Sequence, residues 1–167
     1  MHSRKPIIGV MGGHKASAAV MAQTYELGSL IAQRGWILLN GGRNVGVMDA
    51  SARGAKEAGG LVIGILPSKT ATGASIHQDI AIPTGLDDGR NLINVYASDV
   101  VIACQGALGT MSEVVFAVKH KKPVILMGFD AGSALDRYRR RGLVYEANNP
   151  REAVALAATY LKTDGVN

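Results

Sequence analysis

Cysteine is almost missing from this chain: 167 residues contain one, Cys104. A single thiol excludes an intrachain disulfide and a multi-cysteine metal site. Aromatic residues are scarce too, at 5%, so the core has to be packed on Val, Ile, Leu and Ala. Acidic residues number 13 against 18 basic ones, for a net charge of +5. No apolar run is longer than a strand, well short of a membrane span. No apolar segment follows residues 1–5, so no signal peptide is expected. With 47% hydrophobic and 19% charged residues, the expectation is an ordinary globular, cytoplasmic chain without membrane contact. The length suits one domain, 1–167, with no linker or internal repeat.

The basic excess is concentrated in two places, Lys119-His120-Lys121-Lys122 and Arg137-Tyr138-Arg139-Arg140-Arg141. The first falls where a helix should end, and the helix dipole accounts for it. The second reads as a solvated helix face. Neither calls for nucleic acid, and a basic balance suits a small anionic ligand by steering.

What the chain has in abundance is glycine, 21 residues. Three glycine-rich turns each follow a short apolar run and precede a helical stretch. They are Met11-Gly12-Gly13-His14-Lys15, Asn40-Gly41-Gly42-Arg43-Asn44-Val45-Gly46 and Gln105-Gly106-Ala107-Leu108-Gly109-Thr110. A strand that ends in glycine and enters a helix offers free backbone N–H groups and a positive helix end to an anion.

Apolar, β-branched runs place strands at 6–11, 36–39, 61–66, 79–83, 99–104, 123–127 and 143–146. Helical composition places helices at 17–34, 47–58, 89–97, 108–119 and from Pro150 to 161. Residues 68–78 are polar and small, a candidate lid or rim over a site. This alternation predicts an α/β fold: a doubly wound, mostly parallel Rossmann-like sheet with helices on both faces. The ligand should lie at the carboxyl ends of the strands.

Gly12-Gly13 lacks the full dinucleotide spacing, and Asn40-Gly41 stand where a ribose-reading acid would close the second strand. Ordinary NAD binding is therefore disfavoured. The second loop, Gly41-Gly42-Arg43-Asn44-Val45-Gly46-Val47-Met48, resembles the GGG-x-x-G-(L/V)-M loop of the lysine-decarboxylase-like family. Well-studied members of that family are the Lonely Guy phosphoribohydrolases, which release cytokinin bases from nucleoside monophosphates. Their P-G-G-x-G-T-x-x-E hallmark aligns with Gln105-Gly106-Ala107-Leu108-Gly109-Thr110-Met111-Ser112-Glu113, and their Arg-Lys pair with Arg90-Asn91. Arg90 and Glu113 thus match the catalytic pair. Proline, the second glycine and the lysine are replaced by Gln105, Ala107 and Asn91. These changes in the cradle favour an inherited fold with a changed ligand or a lost activity.

Further segments are similar to the molybdenum cofactor carrier proteins. They are Arg4-Lys5-Pro6-Ile7-Ile8-Gly9-Val10-Met11-Gly12, Gly35-Trp36-Ile37-Leu38-Leu39, Gly54-Ala55-Lys56-Glu57-Ala58-Gly59-Gly60 and Lys121-Lys122-Pro123-Val124. That resemblance implies a protein that holds molybdenum cofactor (molybdopterin) as cargo for storage, protection and transfer to molybdoenzymes, without converting it. It also implies a homotetramer or dimer. Backbone N–H groups of Gly12, Gly13, Gly42, Gly106 and Gly109 are candidates for the phosphate and molybdenum oxo groups, with Gly41, Ala107 and Leu108 in the same loops.

Lys15, Arg43 and Arg90 offer countercharge, and Thr110 a hydroxyl. Asn44, Asn91 and Asn94 have amides suited to a pterin edge. His14 reads either as an oxo contact or as a solvent-exposed loop residue. Glu113 reads as a pocket residue or a helix-start carboxylate, and Arg90 as a pocket cation or a surface partner of Asp87 or Asp88. His77 and His120 read as surface residues, and Cys104, Met48 and Met111 as core. No spacing suits a protein-ligated metal. Two other functions stay open: a phosphoribohydrolase using Glu113 and Arg90, and a sensor of another nucleotide-like ligand.

Overall fold

The computed structural model describes residues 4–163. Residues 1–3, part of the segment read as carrying no leader, and 164–167, included in the single domain, lie outside the described residues. The described chain runs β1 (Ile7–Met11), α1 (Ala18–Gln33), β2 (Ile37–Asn40), α2 (Gly46–Glu57), β3 (Val62–Leu66) and β4 (Ile80–Pro83). It continues through α3 (Arg90–Ala97), β5 (Val100–Ala103), α4 (Leu108–Lys119), β6 (Val124–Met127), α5 (Asp136–Arg139), β7 (Val144–Ala147) and α6 (Pro150–Thr163). All seven strands form one parallel sheet in the order β4-β3-β2-β1-β5-β6-β7. This is the expected doubly wound α/β architecture.

The strand sequences explain why both faces are covered. Side chains alternate between faces along a strand, and here both sets are apolar. Ile8, Val10, Leu38, Val62, Val100, Ile102 and Ile125 enter one core with α1, α2 and α6. Met11, Leu39, Ile65, Val101, Ala103, Val124 and Leu126 enter the other with α3 and α4. Burying a Val, Leu or Ile side chain stabilises by about 1.5–3 kcal/mol.

Local signals set the helix ends. The Ser17 hydroxyl accepts from Val20 N at 3.2 Å to cap α1, and Gly35 follows its end at φ +72°, the left-handed stop that glycine adopts freely. One detail differs from the sequence reading: a short 3-10 turn, Asp87–Gly89, precedes α3. The second basic cluster, for which the sequence predicts a solvated helix face, lies on a helix of a single turn, α5, and the residues after it, with Arg137, Arg140 and Arg141 exposed.

α1 packs directly along α2, and two glycines set how closely. A Cβ built on Gly28 would fall 2.1 Å from Ser51 O, and one on Gly54 would fall 2.0 Å from Tyr25 O. Those neighbours are backbone and cannot swing aside. Gly54→Ala is therefore expected to lower stability by about 2 kcal/mol despite alanine's better helix propensity. A urea midpoint equal to wild type would show that the helices can part without cost.

Candidate functional site

The chain order of the sheet places the site. From β1 the strands progress outward through β2, β3 and β4, then β5 returns to the other side of β1. The loops leaving β1 and β5 diverge at this reversal, the point where open α/β sheets form their ligand crevice. Cross-loop hydrogen bonds fix its walls: Gly13 N to Gln105 O at 2.9 Å and Cys104 N to Met11 O at 2.7 Å. Val47 N donates to Gly13 O at 3.1 Å and draws in the second glycine loop.

Between these loops lies a cavity of about 320 Å³. It is lined by Gly12, Gly13 and His14 after β1, by Gly41 and Arg43 after β2, and by Arg90 and Asn91 on α3. Ala107, Leu108, Gly109, Thr110 and Glu113 line it from the start of α4. Twelve of the sequence candidates thus share one cavity. Val10, Met11, Met48 and Asp88 line it as well. Met48 is core, as its sequence context suggests, at 6% exposed, yet it also borders the cavity. Asp88, which the sequence suggests only as a surface partner of Arg90, is a lining residue. Its place just before α3, the helix that carries Arg90 and Asn91, was the available signal.

Five candidates do not line the cavity. Lys15 and Asn44 are exposed, and Asn44 N donates to Gly73 O at 3.0 Å. Asn94 is fully buried behind Glu113, donating its amide to Glu113 Oε1 at 2.8 Å. Gly42 N donates to the Asn40 side chain at 2.8 Å, and Gly13 N is used on Gln105, so neither amide is available to an anion. Asn40 also donates to Met48 O at 2.8 Å and Ser51 Oγ at 3.1 Å. The amide that replaces a ribose-reading acid is therefore a buried peg for the second loop.

Gly106 is set by internal packing. A Cβ there would fall 2.1 Å from Thr110 Oγ1, as Gly12 would meet Val47 at 2.4 Å and Gly41 would meet Arg90 Nη1 at 2.3 Å. Residues 68–78 form no lid, since none of them lines the cavity. They act as a rim, with Ser75 N on Gly42 O at 2.8 Å and a backbone bridge from Ala74 to Arg43.

Gly109 is different. A Cβ at this position would find only Asn91 Nδ2, at 3.9 Å, and its φ is ordinary, so nothing inside the protein requires glycine. Glycine in a helix costs about 0.5–1 kcal/mol against alanine. The first backbone bond of α4 is Met111 N to Ala107 O at 3.0 Å. The N–H groups of Leu108, Gly109 and Thr110 therefore precede the intrahelical ladder. An uncovered helix N-terminus facing the cavity, kept clear of side chain at Gly109, is built for close approach of an anion.

The charges agree with that. Arg43 stands exposed at the mouth. Arg90 is sunk into the wall, donating from Nη1 to Gly41 O at 2.6 Å and Ile65 O at 2.5 Å. Its Nε is buried with no partner, so Arg90 joins the second loop to α3 and keeps an unused donor. It is a pocket cation, not a surface partner of Asp87 or Asp88. Burial lowers its pKa, and the charge of Glu113 opposes that. Glu113, 6% exposed, is pushed up to about 7 by burial, against the Asn94 hydrogen bond and the charge of Arg90.

Among the described residues, no three of His, Cys, Asp and Glu come together to hold a metal ion. No described helix is long and apolar enough to cross a membrane.

The SLOG cluster4 family profile matches residues 5–154. The chain belongs to that family. A molybdenum cofactor binding protein from Rippkaea orientalis is 51% identical, with 95% of this chain covering 98% of that one at a TM-score of 0.89. The Moco carrier protein of Chlamydomonas reinhardtii is 42% identical over 96% of this chain and 99% of its own, at 0.86. A cytokinin riboside 5'-monophosphate phosphoribohydrolase from Mycobacterium tuberculosis is 30% identical over 66% of this chain and 63% of the enzyme. SLOG membership therefore agrees with the sequence resemblance to both branches, and the carrier likeness extends over nearly the whole chain.

Because Glu113 holds its proton up to about 7 when folded, while an unfolded carboxyl releases it near 4.5, stability falls as pH rises between those values. The difference corresponds to roughly 3 kcal/mol. Glu113→Gln, which can still accept from Asn94, is expected to abolish this fall and to be the more stable protein at pH 8. Denaturant midpoints of both proteins across pH 4–8 test it; parallel curves would mean that Glu113 titrates normally.

Proposed function

We propose that this protein binds molybdenum cofactor as cargo in the cytoplasm, holding and protecting it for transfer to molybdoenzymes without converting it. The observation that carries this reading is the open cradle at Gly109. An α4 N-terminus without a covering side chain shares the cavity with the cations Arg43 and Arg90, in a chain that is 51% identical to a molybdenum cofactor binding protein along 95% of its length. The anionic parts of the cofactor suit that end of the cavity, with Thr110 adding a hydroxyl. Asn91 lines the cavity and has the donor and acceptor that a pterin edge requires. A homotetramer or homodimer belongs to the same proposal. The exposed Ile76, and Ile80 and Ile82 on the edge strand β4, are apolar surface of the kind that copies cover.

A hydrolytic second reading is supported by Glu113, whose proton affinity near neutrality is what a general acid or base needs. In that case Glu113→Gln abolishes release of free base from AMP-like substrates. A wild-type protein that never releases base removes the reading.

Two measurements test the carrier function. Protein purified gently from cells that make the cofactor should carry molybdenum and oxidised pterin in similar amounts per chain; metal without pterin would indicate an oxyanion site instead. Gly109→Ala should leave the thermal midpoint equal to or above that of wild type while cutting cofactor content at least tenfold, and Arg43→Ala should reduce it as well. Full cofactor content in both variants would place the cargo elsewhere.

A further inference from the structure

The two basic clusters of the sequence meet on the surface. Beside the end of α4, the segment running from α5 into β7 leaves an open groove of about 690 Å³. Its rim carries Lys119, Lys121 and Arg141, and its floor includes Val118, Leu135 and Leu143. Among the described residues none of these three cations takes part in an ion pair, while the nearby acids Asp136 and Glu146 are both held by Arg139. Lys122 turns away and donates to the backbone carbonyls of Tyr96 and Ser98. The groove therefore sets uncompensated positive charge around an apolar floor.

Lys121 supplies an independent observation. It follows the α4 C-cap at φ +58°, the left-handed conformation where a helix ordinarily has glycine. Its side chain makes no hydrogen bond or ion pair among the described residues, and it lines the groove. A strained backbone position that retains a long cation with no internal use points outward, to something the cation meets.

We propose that this groove docks an acidic segment of a partner protein, with an aliphatic or aromatic side chain seated on the floor and carboxylates at Lys119, Lys121 and Arg141. The aliphatic floor favours a protein over a nucleic acid. Tyr138, the ring available there, already lies under the Arg137 guanidinium at 5.2 Å, which occupies a face that base stacking would need. The groove uses the second half of α4 and the cavity its first turns. The proposal therefore holds whatever the cavity binds, and supplies a face through which a carrier meets the proteins that fill or empty it.

Fluorescence anisotropy with a labelled 14-residue peptide, five Asp and Glu residues placed around Leu and Phe, tests it on the whole protein. Wild type should bind this peptide at least tenfold more tightly than one with Leu and Phe replaced by Ser, and more tightly than a 14-nucleotide oligo-dT. The double variant Lys119→Glu, Arg141→Glu should lose at least tenfold. Lys121→Gly should bind several-fold more weakly yet melt at a higher temperature, a pairing that a damaged fold does not produce. No peptide binding, equal binding of the Ser peptide, or tighter binding of oligo-dT overturns the proposal. So does a change in sedimenting species in the double variant, which would mean that a second copy covers the groove.

Discussion

Two backbone hydrogen bonds between distant loops hold the site in shape: Gly13 N to Gln105 O, and Cys104 N to Met11 O. They form because β1 and β5 are neighbours while the chain between them crosses the other half of the sheet. The pair fixes the separation between the first glycine loop and the start of α4, and Val47 N on Gly13 O fixes the second loop against both. The separation of the cavity walls and the place of the α4 N-terminus follow from that stitching, while Arg90 is held from the far side by Gly41 O and Ile65 O. The ligand end of the molecule is thus a property of the sheet order as much as of any side chain.

This has a consequence for how glycine is understood here. Gly12, Gly41 and Gly106 look alike in sequence, as parts of anion loops, but each is required by a protein atom less than 2.5 Å from where a Cβ would stand. They build the cradle by letting walls meet. Gly109 alone among these positions has room for a side chain that the sequence omits. Substitution at the first three disturbs architecture, whereas substitution at Gly109 disturbs what enters the cavity.

The strands and most helices were legible because a buried parallel strand is a short, nearly uninterrupted apolar run, and glycine marks each exit. The gathering of three glycine loops at one edge was legible for the same reason, since doubly wound connectivity puts every such exit on one side. Which amides stay free was not. Gly13 and Gly42 donate to Gln105 O and the Asn40 side chain, contacts set by tertiary approach that no local pattern encodes. Asn94 could be placed on the right helix but not on the right side of Glu113. It lies one turn beyond Arg90 and Asn91 on the same face, and only the tertiary packing of α3 on α4 decides that this turn backs Glu113 and does not line the cavity. The pairing of Lys119 and Lys121 with Arg141 was hidden by distance along the chain. Each cluster alone has an adequate local explanation, and only β6 and β7, adjacent in the sheet, bring them together.

The central strand also dictates when the molecule can finish folding. β1 is made first, and β2 joins it soon after, yet its other edge pairs only with β5, and Arg4 meets Asp99 across 95 positions of sequence. Until β5 is made, any sheet built on the first four strands has one edge of β1 without its partner. Contacts this distant in sequence make folding slow, and an unpaired strand edge is where a growing chain associates with others. The same reversal that creates the ligand crevice keeps the nascent chain incomplete until the residues of β5 have left the ribosome.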